Sequence, residues 1–247
     1  YRPITLLGEP APTNDINRLA AEVQLILNKE YNGQLETLFH QGGSSGGARP
    51  KVLINIDQED WLVKFKASGD PDNIGEIEYQ YSLAAKACGI EMPDTKLFEN
   101  KYFGVRRFDK VADSRYHIHS ASGLLYASHR YPSIDYTDLI KATWLLTQDV
   151  EQALKMFRQM TFNILTHNRD DHAKNFSFIL KGGQWQLSPA YDLVYSEGFN
   201  GQHTTTVAGN GHPTIKDALL VAKQTSLPQK KAQLIIDEVT EGCRQIK

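Results

Sequence analysis

Three oxygen-bearing side chains, Asp170, Asn175 and Asp192, stand in an order that can do chemistry. Asp170 and Asn175 lie five positions apart in Asn168-Arg169-Asp170-Asp171-His172-Ala173-Lys174-Asn175-Phe176-Ser177-Phe178, and Asp192 ends Pro189-Ala190-Tyr191-Asp192. A carboxylate can face an attacking hydroxyl, while a neutral amide and a second carboxylate suit a metal that bridges phosphates. An all-oxygen donor set fits Mg²⁺ better than zinc. Any one of these residues alone reads as a turn or a cap. The ordered trio, with a strand-turn-strand between its members, points to phosphoryl transfer.

The intervening hairpin is legible. Phe176, Phe178 and Leu180 alternate with Ser177 and Ile179, Lys181-Gly182-Gly183-Gln184 supplies a turn, and Trp185 and Leu187 continue the alternation. Asn175 and Asp192 then fall at the open ends of one hairpin, near enough to share an ion. The segment Val150 to Thr166, with Leu154, Phe157, Met160 and Ile164 on one face, predicts the helix that delivers the loop.

Upstream, Thr13, Asn14 and Asp15 are cap candidates for a helix carrying Ile16, Leu19, Val23 and Ile26. Two β patterns follow, Val52 to Ile56 and Trp61 to Phe65, with Asp57 to Asp60 as the turn. A second helix is expected from about Ile74 to Cys88, stopped by Gly89, and a further β pair from Thr95 to Phe108 turns at Glu99-Asn100-Lys101. Beyond Asp109 the pattern is mainly helical, ending in a helix from Ser226 with Ala232, Ile235, Ile236, Val239 and Cys243 on its apolar face. The expectation is an α+β, bilobal chain: a small β-rich lobe over residues 1–108 and a helical lobe over 109–247.

Whole-chain properties narrow the function. With 247 residues, 40% of them apolar, the chain can bury a substantial core, and a net charge of −2 leaves no global footprint for nucleic acid. No apolar run approaches a membrane span and no signal peptide is visible, so a cytoplasmic protein without membrane contact is expected. Cys88 and Cys243 lack metal-ligand spacing and read as reduced thiols on helix faces.

The Gly-rich segment Gln41 to Lys51 precedes the β patterns. Gly43, Ser44, Ser45 and Gly46 could bring backbone N–H groups to phosphate, with Arg49 and Lys51 adding donors. Gly42-Gly43-Ser44-Ser45-Gly46 also fits G-x-S-x-G, but a hydrolase elbow needs a helix next, and Arg49-Pro50 and a strand follow. Lys64, in the strand after the glycines, is preferred to Lys66 as a phosphate contact, with Glu76 or Glu78 of the next helix as its partner.

These segments together resemble the HipA family of bacterial toxin kinases. The carriers are Gly-Gly-Ser-Ser-Gly-Gly-Ala-Arg-Pro-Lys at 42–51, Leu-Val-Lys-Phe at 62–65, Arg-Arg-Phe-Asp at 106–109, Asp-Asp-His-Ala-Lys-Asn-Phe-Ser at 170–177 and Leu-Ser-Pro-Ala-Tyr-Asp-Leu at 187–193. The resemblance implies a protein serine/threonine kinase of the phosphatidylinositol-kinase-like fold, using ATP and Mg²⁺. It implies Asp170 as catalytic base, Asn175 and Asp192 as metal ligands, and Lys64 on the ATP phosphates. His172 and Lys174 would shape or charge the loop, His172 more as a structural hydrogen-bonder than a reacting group.

It further implies autophosphorylation at Ser44 or Ser45, which would repel ATP by charge, and a translation component such as an aminoacyl-tRNA synthetase as substrate. The implied partner is a HipB-like helix-turn-helix antitoxin, through which alone the chain would meet DNA. About forty residues precede the glycines, where long members carry roughly a hundred more, on the scale of a minimal domain. The chain therefore resembles a short, HipT-like form, in which that subdomain is absent, trimmed or supplied by a separate small protein. Two other readings compete: a metal-dependent hydrolase using His167, Asp170, Asp171, His172 and Asp192, and a silent nucleotide-binding co-repressor.

Overall fold

The structure, a computed structural model, describes residues 15–27, 49–111, 114–128, 134–244 and 246. Two compact units emerge, residues 1–80 with 93–114 and residues 81–92 with 115–247. Among the described residues no helix is long and apolar enough to cross a membrane.

In the first unit, β1 (Lys51–Ile56) and β2 (Glu59–Lys64) form an antiparallel hairpin. Asp57 and Gln58 turn it with φ of 52° and 66°. A two-residue left-handed turn matches the twist of the strands it joins. The turn is therefore shorter than the Asp57–Asp60 expected: Glu59 pairs with Ile56 and Asp60 with Asn55. β3 (Thr95–Phe98) and β4 (Tyr102–Arg106) complete a sheet of order β1-β2-β4-β3.

Alternation along β1 and β2 sends Val52, Ile54, Trp61 and Val63 into a core with Phe65, Phe98 and Tyr102. Ile16, Leu19 and Val23 of α1 (Ile16–Leu27) pack into the same core. Asp15 starts that helix by accepting the Arg18 N–H at 2.9 Å. Thr13, Asn14 and the Ile26 side chain lie outside the described residues. Helix α2 (Ile74–Ala87) ends where Gly89 adopts φ +72°, as expected of a C-terminal glycine. Short strands β5 (Lys110–Val111) and β6 (Ser114–Arg115) make a two-stranded ribbon.

The second unit holds the sheet β7 (His117–Ser120), β8 (Ser177–Lys181) and β9 (Gln184–Leu187), in that order. β7 falls beyond Asp109, where the sequence pattern reads as mainly helical, so it is a strand that the reading did not foresee. It makes β8 a central strand, and Phe178 and Ile179 on its opposite faces are 0% and 1% exposed. The simple alternation expected of a half-buried hairpin therefore fails.

Helices α3 (Ala121–Leu124), α4 (Tyr136–Thr147), α5 (Val150–Thr166), α6 (Ile215–Gln224) and α7 (Gln229–Cys243) complete the unit. Leu154, Phe157, Met160 and Ile164 of α5 are buried, as their spacing predicts. α7 starts later than Ser226, because Ser226 takes φ 55° and Pro228 pre-sets the first turn. Its residues Ala232, Ile235, Ile236 and Val239 are buried. Cys88 and Cys243 are free thiols with their sulfurs 3.8 Å apart.

Candidate functional site

Helix α5 ends at His167, whose left-handed φ of 52° lets its N–H turn back to the carbonyls of Asn163 and Ile164. Partial burial, then the Arg169 and His203 charges, hold the His167 imidazole below its ordinary pKa. Asn168 is buried and donates through Nδ2 to Asn163 Oδ1 at 3.0 Å. The chain then presents Asp170, whose side chain is 65% exposed. His172 opens a 3₁₀ turn, Ala173–Asn175, and its carbonyl accepts the Asn175 N–H at 2.8 Å. The turn brings Asn175 back, so that Nδ2 donates to the Asp170 carbonyl at 2.8 Å.

The second half of the trio is tied to this turn. Ser188 N–H donates to the Ser177 carbonyl at 2.9 Å. The Tyr191 hydroxyl donates to the Lys174 carbonyl at 2.7 Å and lies 2.5 Å from Ser177 Oγ. Burial pushes the Tyr191 hydroxyl up to about 12, so it stays a donor at any working pH. Residues 174–177 are thereby stitched to 188–191, which puts Asn175 and Asp192 next to the two halves of one seam. Asp192 has φ 55°, a left-handed backbone at which its own carbonyl accepts from Asn168 Nδ2 at 3.4 Å.

His172 Nε2 is 3.9 Å from Asp170 Oδ1, and the buried Nδ1 has no hydrogen-bond partner among the described residues. Its expected structural bonding is carried by its main-chain carbonyl instead. Lys174 is exposed and joins the site through its carbonyl.

Asp171, Tyr136, Asn163, His203, Thr204 and Thr205 form a buried polar hub that the sequence reading missed. Asp171 is 0% exposed. Its Oδ2 accepts from Tyr136 Oη at 2.9 Å and from His203 Nδ1 at 2.8 Å, and its Oδ1 from the N–H groups of Thr204 at 2.9 Å and Thr205 at 3.1 Å. Burial, then the Asp171 charge, raises the Tyr136 hydroxyl well above its ordinary pKa. With its acceptors so engaged, Asp171 is not offered to a metal. Among the described residues no three His, Cys, Asp or Glu side chains gather as a metal site. The hydrolase set of His167, Asp170, Asp171, His172 and Asp192 is therefore not assembled.

In the first unit, Lys64 points from β2 to Glu78 of α2, Nζ to Oε2, across 3.1 Å, with the two side chains 10% and 4% exposed. Glu78, not Glu76, is the partner. Arg49 also binds Glu78 and holds Asp70 through Nε at 3.0 Å and Nη2 at 3.1 Å. Burial alone would lower its pKa, but Glu78 and Asp70 raise it, so the guanidinium is fixed to these carboxylates rather than held out as a phosphate donor. Lys66 pairs with the exposed Asp72 at 2.6 Å. Gly43, Ser44, Ser45 and Gly46 lie outside the described residues.

Asn175 uses its amide nitrogen internally, and its carbonyl oxygen and the Asp192 carboxylate are hard oxygen donors of the kind magnesium takes.

Comparison with known proteins bears on the family and the fold. A family model, the HipA-like C-terminal domain, matches residues 43–246. A Haemophilus influenzae protein named "Putative kinase" is 26% identical over 192 residues, 65% of this chain and 56% of that protein. HipA of Shewanella oneidensis, solved with HipB and operator DNA, shares the fold with a TM-score of 0.67 and 18% identity over 92% of this chain and 65% of its own. The Helicobacter pylori proinflammatory kinase CtkA aligns with a TM-score of 0.50 and 12% identity, covering 79% of this chain and 90% of its own. The chain thus spans just over half of its curated relative and under two thirds of the Shewanella protein. The motifs of residues 43–246, the mixed α and β architecture and the family match converge: the chain belongs to the HipA-like C-terminal domain family.

Proposed function

We propose that the chain is an ATP- and Mg²⁺-dependent protein serine/threonine kinase, and that it acts as the toxin of a type II toxin–antitoxin pair. The observation that carries this is the closed loop of Asp170 and Asn175 sewn to Asp192 through Tyr191. When bound, Mg²⁺-ATP supplies the phosphoryl group with its charge partly neutralised. Asp170, exposed on its turn, takes the proton of a serine or threonine hydroxyl as that oxygen bonds to the terminal phosphorus and the bond to ADP breaks. Asn175 and Asp192 would hold the metal, and Lys64, steadied by Glu78, would meet the phosphates. His172, whose ring Nδ1 has no hydrogen-bond partner among the described residues, and Lys174 line the same turn.

The finer reading follows the family. The HipA neighbour comes from a complex with HipB and operator DNA. That supports a HipB-like helix-turn-helix antitoxin as partner, with DNA reached through it. A translation component such as an aminoacyl-tRNA synthetase is the proposed substrate, and Ser44 or Ser45 the proposed autophosphorylation site. Intact-mass spectrometry before and after incubation with Mg²⁺-ATP tests this, with Asp170→Asn alongside. Phosphate gained by the wild type alone supports the proposal. A wild type that starts without phosphate, gains none and does not bind ATP overturns it.

A further inference from the structure

The Asp171 hub holds the loop on both sides of Asp170. Asn168 is tied to Asn163, whose Nδ2 donates to Tyr136 Oη at 2.8 Å, and Tyr136 donates to Asp171. From Asp171 the network passes to the 193–212 segment, which follows the proposed metal ligand Asp192. His203 is 3% and Thr205 0% exposed. Thr205 Oγ1 also donates to the Asp171 carbonyl at 2.5 Å, and Thr204 Oγ1 to the Arg169 carbonyl at 3.0 Å. Further along, Arg169 Nη1 donates to the Glu197 carbonyl at 3.3 Å and the Ser196 N–H to the His167 carbonyl at 3.1 Å.

In many kinases the segment after the metal-binding aspartate is ordered only when a phosphorylated residue pairs with an arginine beside the catalytic loop. Here a buried side-chain carboxyl takes that place. Asp171 is fully buried and matched by four donors, and such a saturated network rigidifies what it joins. The arginine preceding Asp170 already donates to segment backbone.

We infer that Asp171 is a positioning residue. Through His203, Thr204 and Thr205 it orders the 193–212 segment and aims Asp170, so phosphoryl transfer requires no activating phosphate in that segment. This rests on the kinase reading proposed above.

The test uses the full chain stripped of phosphate by a protein phosphatase and checked by intact mass. Two measurements are made: hydrogen exchange at the Thr204 and Thr205 amides without nucleotide, and the initial rate of phosphate incorporation from Mg²⁺-ATP. The expected wild type shows both amides protected at least 100-fold and incorporation without a lag. Asp171→Ala should lose at least tenfold of that protection while the β8–β9 amides keep theirs. Its kcat should fall at least 100-fold with KM for ATP within about threefold. Asp171→Asn, which still offers an acceptor to the two amides, should restore their protection and part of the rate. His203→Gln removes one arm without emptying the hub, and serves if the alanine variant does not fold; it should lower kcat at unchanged KM.

Amides that exchange freely until 193–212 is phosphorylated, or activity that appears only after such phosphorylation, would overturn the inference. So would Asp171→Ala and His203→Gln variants with wild-type rates. Protected amides in a chain that never incorporates phosphate would sink the kinase reading, while supporting the clamp on the segment.

Discussion

Asn175 Nδ2 donates to the main-chain carbonyl of Asp170 across 2.8 Å, so the two ends of the D-x-x-x-x-N spacing are held to each other before any ligand arrives. The asparagine nitrogen closes the turn, and in the proposed site its oxygen would meet the cation. Asn175→Ala removes both, and phosphate transfer should fall by about 10²–10³-fold, the scale of a lost electrostatic stabiliser. Asn175→Asp keeps an oxygen but loses the donor that closes the turn, and should recover only a small part of the rate. Steady-state kinetics across a Mg²⁺ titration reads both; wild-type rates in either variant would remove Asn175 from the site.

Lys64 and Glu78 separate stability from activity. Glu78→Ala leaves Lys64 and Arg49 without their shared buried carboxylate, and should cost about 3 kcal/mol, as breaking a buried pair does. Lys64→Met removes the charge that would meet phosphate but fills the same space, and Glu78 keeps Arg49. It should cost less than half as much in stability while weakening ATP binding at least tenfold. Urea midpoints and ATP titrations on both variants check the order; equal stability losses would refute it.

The reach of the sequence differed between the two halves of this machinery. The Lys64 face was legible because Trp61, Val63 and Phe65 alternate with it along one strand, a period that any half-buried sheet imposes. The spacing of Asp170 and Asn175 was legible because a single local turn closes it. Asp171 was not: its partners Tyr136 and His203 lie 35 and 32 residues away, on a helix and in an irregular segment, and no short period links them. β7 stayed hidden for a related reason. His117-Ile118-His119-Ser120 has little apolar alternation of its own and is a strand because β8 offers it a partner.

Gly242 lies against Cys88 where α7 packs. A side-chain carbon there would stand 2.5 Å from Cys88 Sγ and 3.0 Å from its backbone nitrogen. The sulfur could rotate but the backbone could not, so Gly242→Ala should destabilise the chain by about 1–3 kcal/mol despite alanine's better helix propensity. Thermal melts of Gly242→Ala and of Gly242→Ala with Cys88→Ala give the check. Partial rescue in the double variant is expected, since removing the sulfur relieves the nearer of the two contacts.

Asp135 ties the start of α4 to the 206–209 turn and should give stability an acid limb. Its carboxylate caps the helix through the Thr137 N–H at 2.8 Å and accepts from Thr206 Oγ1 at 2.6 Å and the Gly209 N–H at 2.8 Å. Burial alone would raise its pKa, but the bonds from Thr206, Gly209 and Thr137 outweigh it and hold the folded value below the ordinary one. A lowered folded pKa means that the carboxylate's stabilisation is complete above the unfolded value of about 4 and is lost as pH falls through the folded value. Asp135→Ala should therefore cost about 1–2 kcal/mol at pH 7, the usual loss for a helix cap. That deficit should narrow steadily below pH 4, where the wild type loses the same charge. Urea unfolding of both chains at pH 7, 5 and 3 measures it; a deficit that stays constant down to pH 3 would show that shape, rather than charge, is what Asp135 contributes.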